Sequence, residues 1–245
     1  MAGGFGVHRH AGRRRSDLAV STRQTLARWT AWWAFRSRRS SARLLAGFCR
    51  AERNSELELL AAARLTTRAE HRALYLRHAL DERRHAELFF RRANLLHAPS
   101  APVFPDVDLD DLFVRLGERD FLAFVHNGET DGAAQFRGYV DAFRARADDD
   151  DAATSAKLFA GILVDEDRHE RTSWTLLVAR CDGDEALARQ RLRAMRLLEA
   201  GRRWHRAGRG LAGSVYVVTM LILFVACAPL SLWLRRRRPT PTGWA

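Results

Sequence analysis

Two copies of one short pattern constrain this chain more than anything else in it. The first is Glu82-Arg-Arg-His85, within LRHALDERRHAELFF, and the second is Glu166-Asp-Arg-His169, within AGILVDEDRHERTSW. A carboxylate and an imidazole three residues apart share one face of a helix. One such pair means little in a chain rich in arginine and glutamate. Two pairs, each preceded by another acidic helix, are what a di-metal four-helix bundle requires.

The apolar periodicity predicts four long helices, over 42–66, 69–94, 111–147 and 153–180. The first two are separated by a very short turn and should be antiparallel neighbours. HAPSAPVFPDVDLDD then breaks the periodicity with three prolines and reads as a long crossover, while the aspartates at 148–151 mark the next turn. Short turn, long crossover, short turn is an all-α four-helix bundle with one crossover. A fifth, basic helix is expected from Glu185 to about His205.

Each Glu-x-x-His pair interrupts an otherwise apolar stripe, which a solvent-facing pair would not do. Leu74 or Tyr75, with His78, Glu82, His85 and Phe89, lines one stripe, and Phe159, Ile162, Glu166, His169 and Ser173 the other. The first helix must supply a carboxylate at matching height. Glu52 does so across the hairpin from Glu82, with Glu56 one turn away in reserve. The third helix offers Glu129, whereas Glu118 lies too far from the centre and Asp131 off the stripe. The ligand set is therefore Glu52, Glu82, His85, Glu129, Glu166 and His169. Buried singly these charges are costly, but around two divalent ions they compensate one another. Carboxylate with imidazole suits iron or manganese, and zinc accepts the same ligand types. Tyr75, His78, His126, Tyr139 and Ser173 are candidates for the layer behind the ligands or for a channel.

On these residues, the segment 42–180 resembles the ferritin-like, rubrerythrin-like di-iron carboxylate superfamily. DERRHAELFF looks like the second-helix motif of that group and DEDRH like its fourth-helix counterpart. The resemblance implies a ferritin-like bundle in which the six ligands hold two iron ions. The paired cysteines of a rubrerythrin electron-transfer module are missing: Cys49, Cys181 and Cys227 contain no C-x-x-C. The same spacing argues against a disulfide scaffold or a zinc finger.

The flanks read differently. The formal charge is +12, with only one lysine, and the arginines are spread along the chain without a reading helix or finger. Specific nucleic-acid binding is therefore not expected. Residues 1–41 form a basic, tryptophan-rich segment with no export signal. Within it, Leu26, Trp29 and Trp33 share a helical face, either lying on a membrane or covering one end of the bundle. After a basic connection over 181–210, residues 211–234 run without charge and are expected to form a C-terminal membrane helix, spanning or re-entrant at Pro229. A short basic tail, 235–245, follows. The expected location is a bacterial-type inner membrane with the bundle on its cytoplasmic side.

The function expected from the site is a membrane-associated di-iron oxidoreductase that activates dioxygen (O2) to oxidise or hydroxylate a small or lipophilic organic substrate. The alternatives are a tethered ferroxidase or peroxide-detoxifying protein, and a metal-stabilised membrane adaptor without turnover. The expected partners are O2, an organic substrate of unknown identity, an external electron donor and membrane lipids, with a homodimer allowed. Two iron ions are the expected cofactor, with manganese as the substitute.

Overall fold

The computed structural model describes residues 22, 24–97, 111–146, 149–201, 218 and 220, and all regular structure among them is helical. The first of its two units ends at Met195. Helix α1 covers 24–34. It is followed by α2 (Arg38–Leu65), α3 (Ala69–Leu96), α4 (Leu112–Leu116), α5 (Glu118–Arg144) and α6 (Asp150–Arg180). A further helix, α7, begins at 185.

Helix α2 starts one turn before the sequence expectation because Ser37 and Ser40 form a reciprocal cap: the Ser37 side chain accepts from the Ser40 amide, and the Ser40 side chain from that of Ser37. The α2–α3 turn is fastened by Arg72, which donates to the carbonyls of Ala63 (3.1 Å) and Thr66 (3.0 Å). The helix expected over 111–147 is broken at Gly117, whose φ of 75° and ψ of 158° lie in a region that only glycine occupies freely. The short α4 and the long α5 result. Asp149 caps α6 by accepting from the amides of Asp151 and Ala152, so that helix also begins early.

Helix α2 packs against α3 and α5 against α6, with α3 also meeting α6. This is the pairing expected of a one-crossover bundle, though the crossover itself, 98–110, lies outside the described residues. Two apolar clusters occupy the bundle. One gathers Leu45, Cys49, Phe89, Phe136, Phe143 and Phe159 with Ala27 and Ala31 from α1 and Phe35 just after it. The other gathers Leu59, Tyr75, Phe121, Leu122 and Leu177 with Ala188 and Met195 from α7. Each fully buried phenylalanine or leucine contributes about 1.5–3 kcal/mol. Along every long helix buried polar residues fall between the two clusters, and these carry the site.

The expected C-terminal membrane helix needs correction. No helix among the described residues is long and apolar enough to cross a membrane. The described helices are amphipathic, with charged residues recurring every turn or two, so none offers an uncharged run of bilayer length. The span 211–234 itself lies outside the described residues except for Val218 and Met220, two exposed helical positions. Among the described residues the fold is accordingly an all-helical bundle in which no helix is long and apolar enough to cross a membrane. Of the second unit, 196–245, the described part is helical at 196–201 and exposes Leu197 and Leu198.

Candidate metal centre

Between the two apolar clusters, α2 contributes Glu52, α3 His78, Glu82 and His85, α5 Glu129, and α6 Glu166 and His169. All but Glu129 are buried to 9% exposure or less, and the Glu129 side chain is 12% exposed. Two groups have ligand atoms close enough to share an ion: His78, Glu82, Glu129 and His169, and Glu52, Glu82 and His85. Glu82 belongs to both. Glu166 completes the layer, its Oε1 standing 3.6 Å from His85 Nδ1. Its Oε2 lies against Gly132, where a β-carbon would meet it at 3.7 Å.

The two motif histidines are held in the same way from opposite sides. His85 on α3 donates from Nε2 to Asp165 on α6 at 3.2 Å. His169 on α6 donates from Nε2 to Asp81 on α3 at 3.2 Å. Each aspartate immediately precedes the motif glutamate of its own helix. Arg168 ties the pair together, donating to Asp81 at 2.7 Å and to Asp165 at 2.6 Å, and Arg84 pairs with Asp165 as well. With Nε2 so engaged, Nδ1 of each ring faces the carboxylates. His169 Nδ1 lies 3.3 Å from Glu82 and 3.6 Å from Glu129, yet neither Nδ1 makes a hydrogen bond. A buried nitrogen without a bond is costly unless something else takes its lone pair. A carboxylate-oriented imidazole with its other nitrogen free is the arrangement by which proteins hold metal-binding histidines. The buried histidine and glutamate groups could therefore hold a metal ion.

Electrostatics point the same way. Burial pushes Glu52 well above the usual carboxylate range, helped by the neighbouring Glu82. Burial likewise raises Glu166, with Glu129, Glu82 and Glu52 adding to the effect. Burial also opposes charge on Glu129, but His78 and His169 outweigh it and bring this group down to about 2. His169 is disfavoured as a cation by burial, yet Glu129 and Glu82 lift it to about 10. Without metal, four carboxylates in one low-dielectric layer thus share protons with the imidazoles around them. Two divalent cations would cancel four ionised carboxylates and leave the histidines neutral.

The structure brings all six sequence-derived ligands into this layer and distinguishes Glu52 from Glu56. Glu56 is buried but pairs with Arg53 and lies outside both ligand groups. His78, read from sequence as a residue behind the ligands, stands among them: its Nε2 is 3.1 Å from Glu82 and 3.3 Å from Glu129, and its ring lies over His169 with centroids 3.7 Å apart. The signal was present, since His78 sits one turn before Glu82 on the same stripe. Asp81, Asp165, Arg84 and Arg168 were missed, although the repeat is fully Asp-Glu-x-Arg-His in both copies.

The other candidates serve elsewhere. Tyr75 donates to Glu118 at 3.3 Å, within a clasp that also holds Thr66, His71 and Arg180. Tyr139 accepts from Gln135 at 2.7 Å and packs on Phe35. His126 and Ser173 meet each other at 3.1 Å. No protein-family model, curated protein or solved structure matches the chain.

Proposed function

We propose that the protein is a ferritin-like di-iron oxidoreductase that uses O2 to oxidise or hydroxylate a small organic substrate, drawing electrons from an external donor. The observation that carries this reading is the sharing of Glu82 between two ligand groups, each containing a motif histidine. Glu52, Glu82 and His85 would hold one ion, and His78, Glu82, Glu129 and His169 the other, with Glu166 available to either. Manganese satisfies the same ligands. A bound ferrous pair would supply the redox chemistry toward O2 that these side chains alone lack. The chain's own contribution is geometric and electrostatic. Asp81 and Asp165 fix the tautomer and aim of the two imidazoles, and the apolar clusters on either side keep bulk water from the layer.

The depth of the ligands favours one second reading, a ferroxidase or peroxide-consuming role, since ferrous iron, O2 and peroxide are small enough for a buried layer. A cleft of about 270 Å³ near Phe35, Arg38 and Asp151 is lined by none of the ligands and supports neither reading.

Metal analysis and oxygen uptake test the proposal. The purified chain, loaded anaerobically with ferrous iron, should bind two ions, and its reduced form should consume O2 faster when the right organic substrate is added. Uptake that follows added ferrous iron alone, across a broad substrate panel, would favour the second reading. Full metal content in a Glu82→Ala, Glu166→Ala double variant would remove both.

A further inference from the structure

Helix α1 is fixed to the bundle by the face one would least expect to be chosen. Its buried residues are Ala27 and Ala31, with Phe35 just beyond its end. Phe35 packs on Phe143 at 4.5 Å and Tyr139 at 5.2 Å between ring centroids. Gln24 donates to Asp141 on α5 at 2.9 Å. The backbone comes so close to Gly138 that a β-carbon there would lie 2.5 Å from the Gln24 carbonyl oxygen. The opposite face is far more apolar and is left outside: Leu26 is 60% exposed, Trp29 77%, Trp32 63% and Trp33 58%. At 100° per residue these four positions fall on one continuous arc. Turning them inward would bury much more apolar surface than three small contacts do, so the fold forgoes that gain and holds the arc toward solvent.

The charge around the arc says what it suits. Residues 18–51 contain seven arginines and no aspartate or glutamate. Arg28, Arg36, Arg39 and Arg43 are exposed, and the Arg36 guanidinium lies 5.1 Å from the centre of the Trp33 ring. Indole rings settle at the headgroup level of a bilayer, and flanking arginines reach lipid phosphates. A second copy of the chain is a poor occupant, because face-to-face docking would press two cationic rims together. We propose that the outer face of α1 is a peripheral docking surface for anionic phospholipid bilayers, holding the bundle against the headgroups without crossing them. This inference is independent of the metal reading.

The test uses the full chain and flotation with phosphatidylcholine vesicles prepared with and without phosphatidylglycerol. The parent chain should float with the anionic vesicles, and added salt should weaken the association. A Trp29→Ser, Trp32→Ser, Trp33→Ser variant should bind at least on the order of tenfold more weakly. It should keep its helical circular dichroism and metal content, because the substituted side chains are exposed and lie outside the ligand groups. An Arg28→Gln, Arg36→Gln variant, which leaves the tryptophans intact, should lose the preference for phosphatidylglycerol and decides the matter if the first variant misfolds. Equal affinity of parent and both variants, or binding indifferent to phosphatidylglycerol, would overturn the proposal. So would a tryptophan variant that changes the oligomeric state while vesicle binding stays constant.

Discussion

Asp81 on α3 accepts the Nε2 hydrogen of His169 on α6 at 3.2 Å. The same bond runs the other way from His85 to Asp165. The two motif helices therefore orient each other's imidazoles, and neither copy of the motif is complete alone. Replacing Asp81 by Asn should chiefly weaken the ion served by His169, and Asp165→Asn the ion served by His85. Each should lose about 10–100-fold in affinity, as expected when a partner behind a metal-binding histidine is removed. Competition titration with ferrous or cobaltous ion measures this. Unchanged affinity in both variants would show that the aspartates serve only the arginines.

Glu82 faces both ligand groups, whereas Glu56 faces neither. Glu82→Ala should lose both ions, while Glu56→Gln should keep them. Chelation of the parent should lower the melting temperature by about 5–10 °C, given the stabilisation expected from saturating ligand in a domain of this size. The Glu82→Ala chain should already melt near the chelated value. Plasma emission analysis and thermal scans on the three proteins suffice.

Glu118 closes the far end of the bundle, accepting from Thr66 at 2.8 Å and His71 at 2.9 Å and pairing with Arg180 at 3.2 Å. Burial works against its charge, but these partners together hold it below the ordinary value of 4.5. A carboxylate depressed in the folded state stabilises above its unfolded pKa, and that stability is lost as pH falls through the folded value. Glu118→Gln should therefore cost about 2 kcal/mol at neutral pH, and the gap to the parent should begin to narrow as the pH drops below about 4 and close beneath the folded value. Urea unfolding of the metal-free proteins across that range gives the answer. A gap independent of pH would assign the clasp to shape alone.

Gly138 and Gly132 both sit in α5 but differ in what a methyl group would meet. At Gly138 it would strike the α1 backbone at 2.5 Å, whereas at Gly132 it would meet Glu166 Oε2 at an ordinary contact distance of 3.7 Å. Gly138→Ala should free α1, raising hydrogen exchange over 24–34 at a cost of about 1–3 kcal/mol. Gly132→Ala should be neutral, or stabilise by up to about 1 kcal/mol through helix propensity. Equal protection of α1 in both variants would mean that the close approach is not needed for docking.

The sequence alone determined the helices and the ligand stripes, because both follow from a local rule: the period of an α-helix decides which side chains share a face. That rule carried Glu82, His85, Glu166 and His169 directly and Glu129 by its helical face, and hairpin symmetry carried Glu52. Helix breaks were less legible, since Gly117 interrupts a continuing apolar pattern through a backbone conformation that the pattern does not encode. The membrane helix expected over 211–234 finds no counterpart among the described helices, none of which is long and apolar enough to cross a membrane.

What only the tertiary structure decided are relationships between helices. Asp81 and Asp165 read as ordinary surface acids until α3 and α6 are set side by side, because each acts on the other helix's histidine. His78 became a ligand-layer residue only when Glu129 arrived from α5 at 3.3 Å. The outward turn of Trp29, Trp32 and Trp33 likewise depends on which face of α1 meets Gly138. An amphipathic pattern fixes a helix's faces, but only the space left by its neighbours decides which of them is buried.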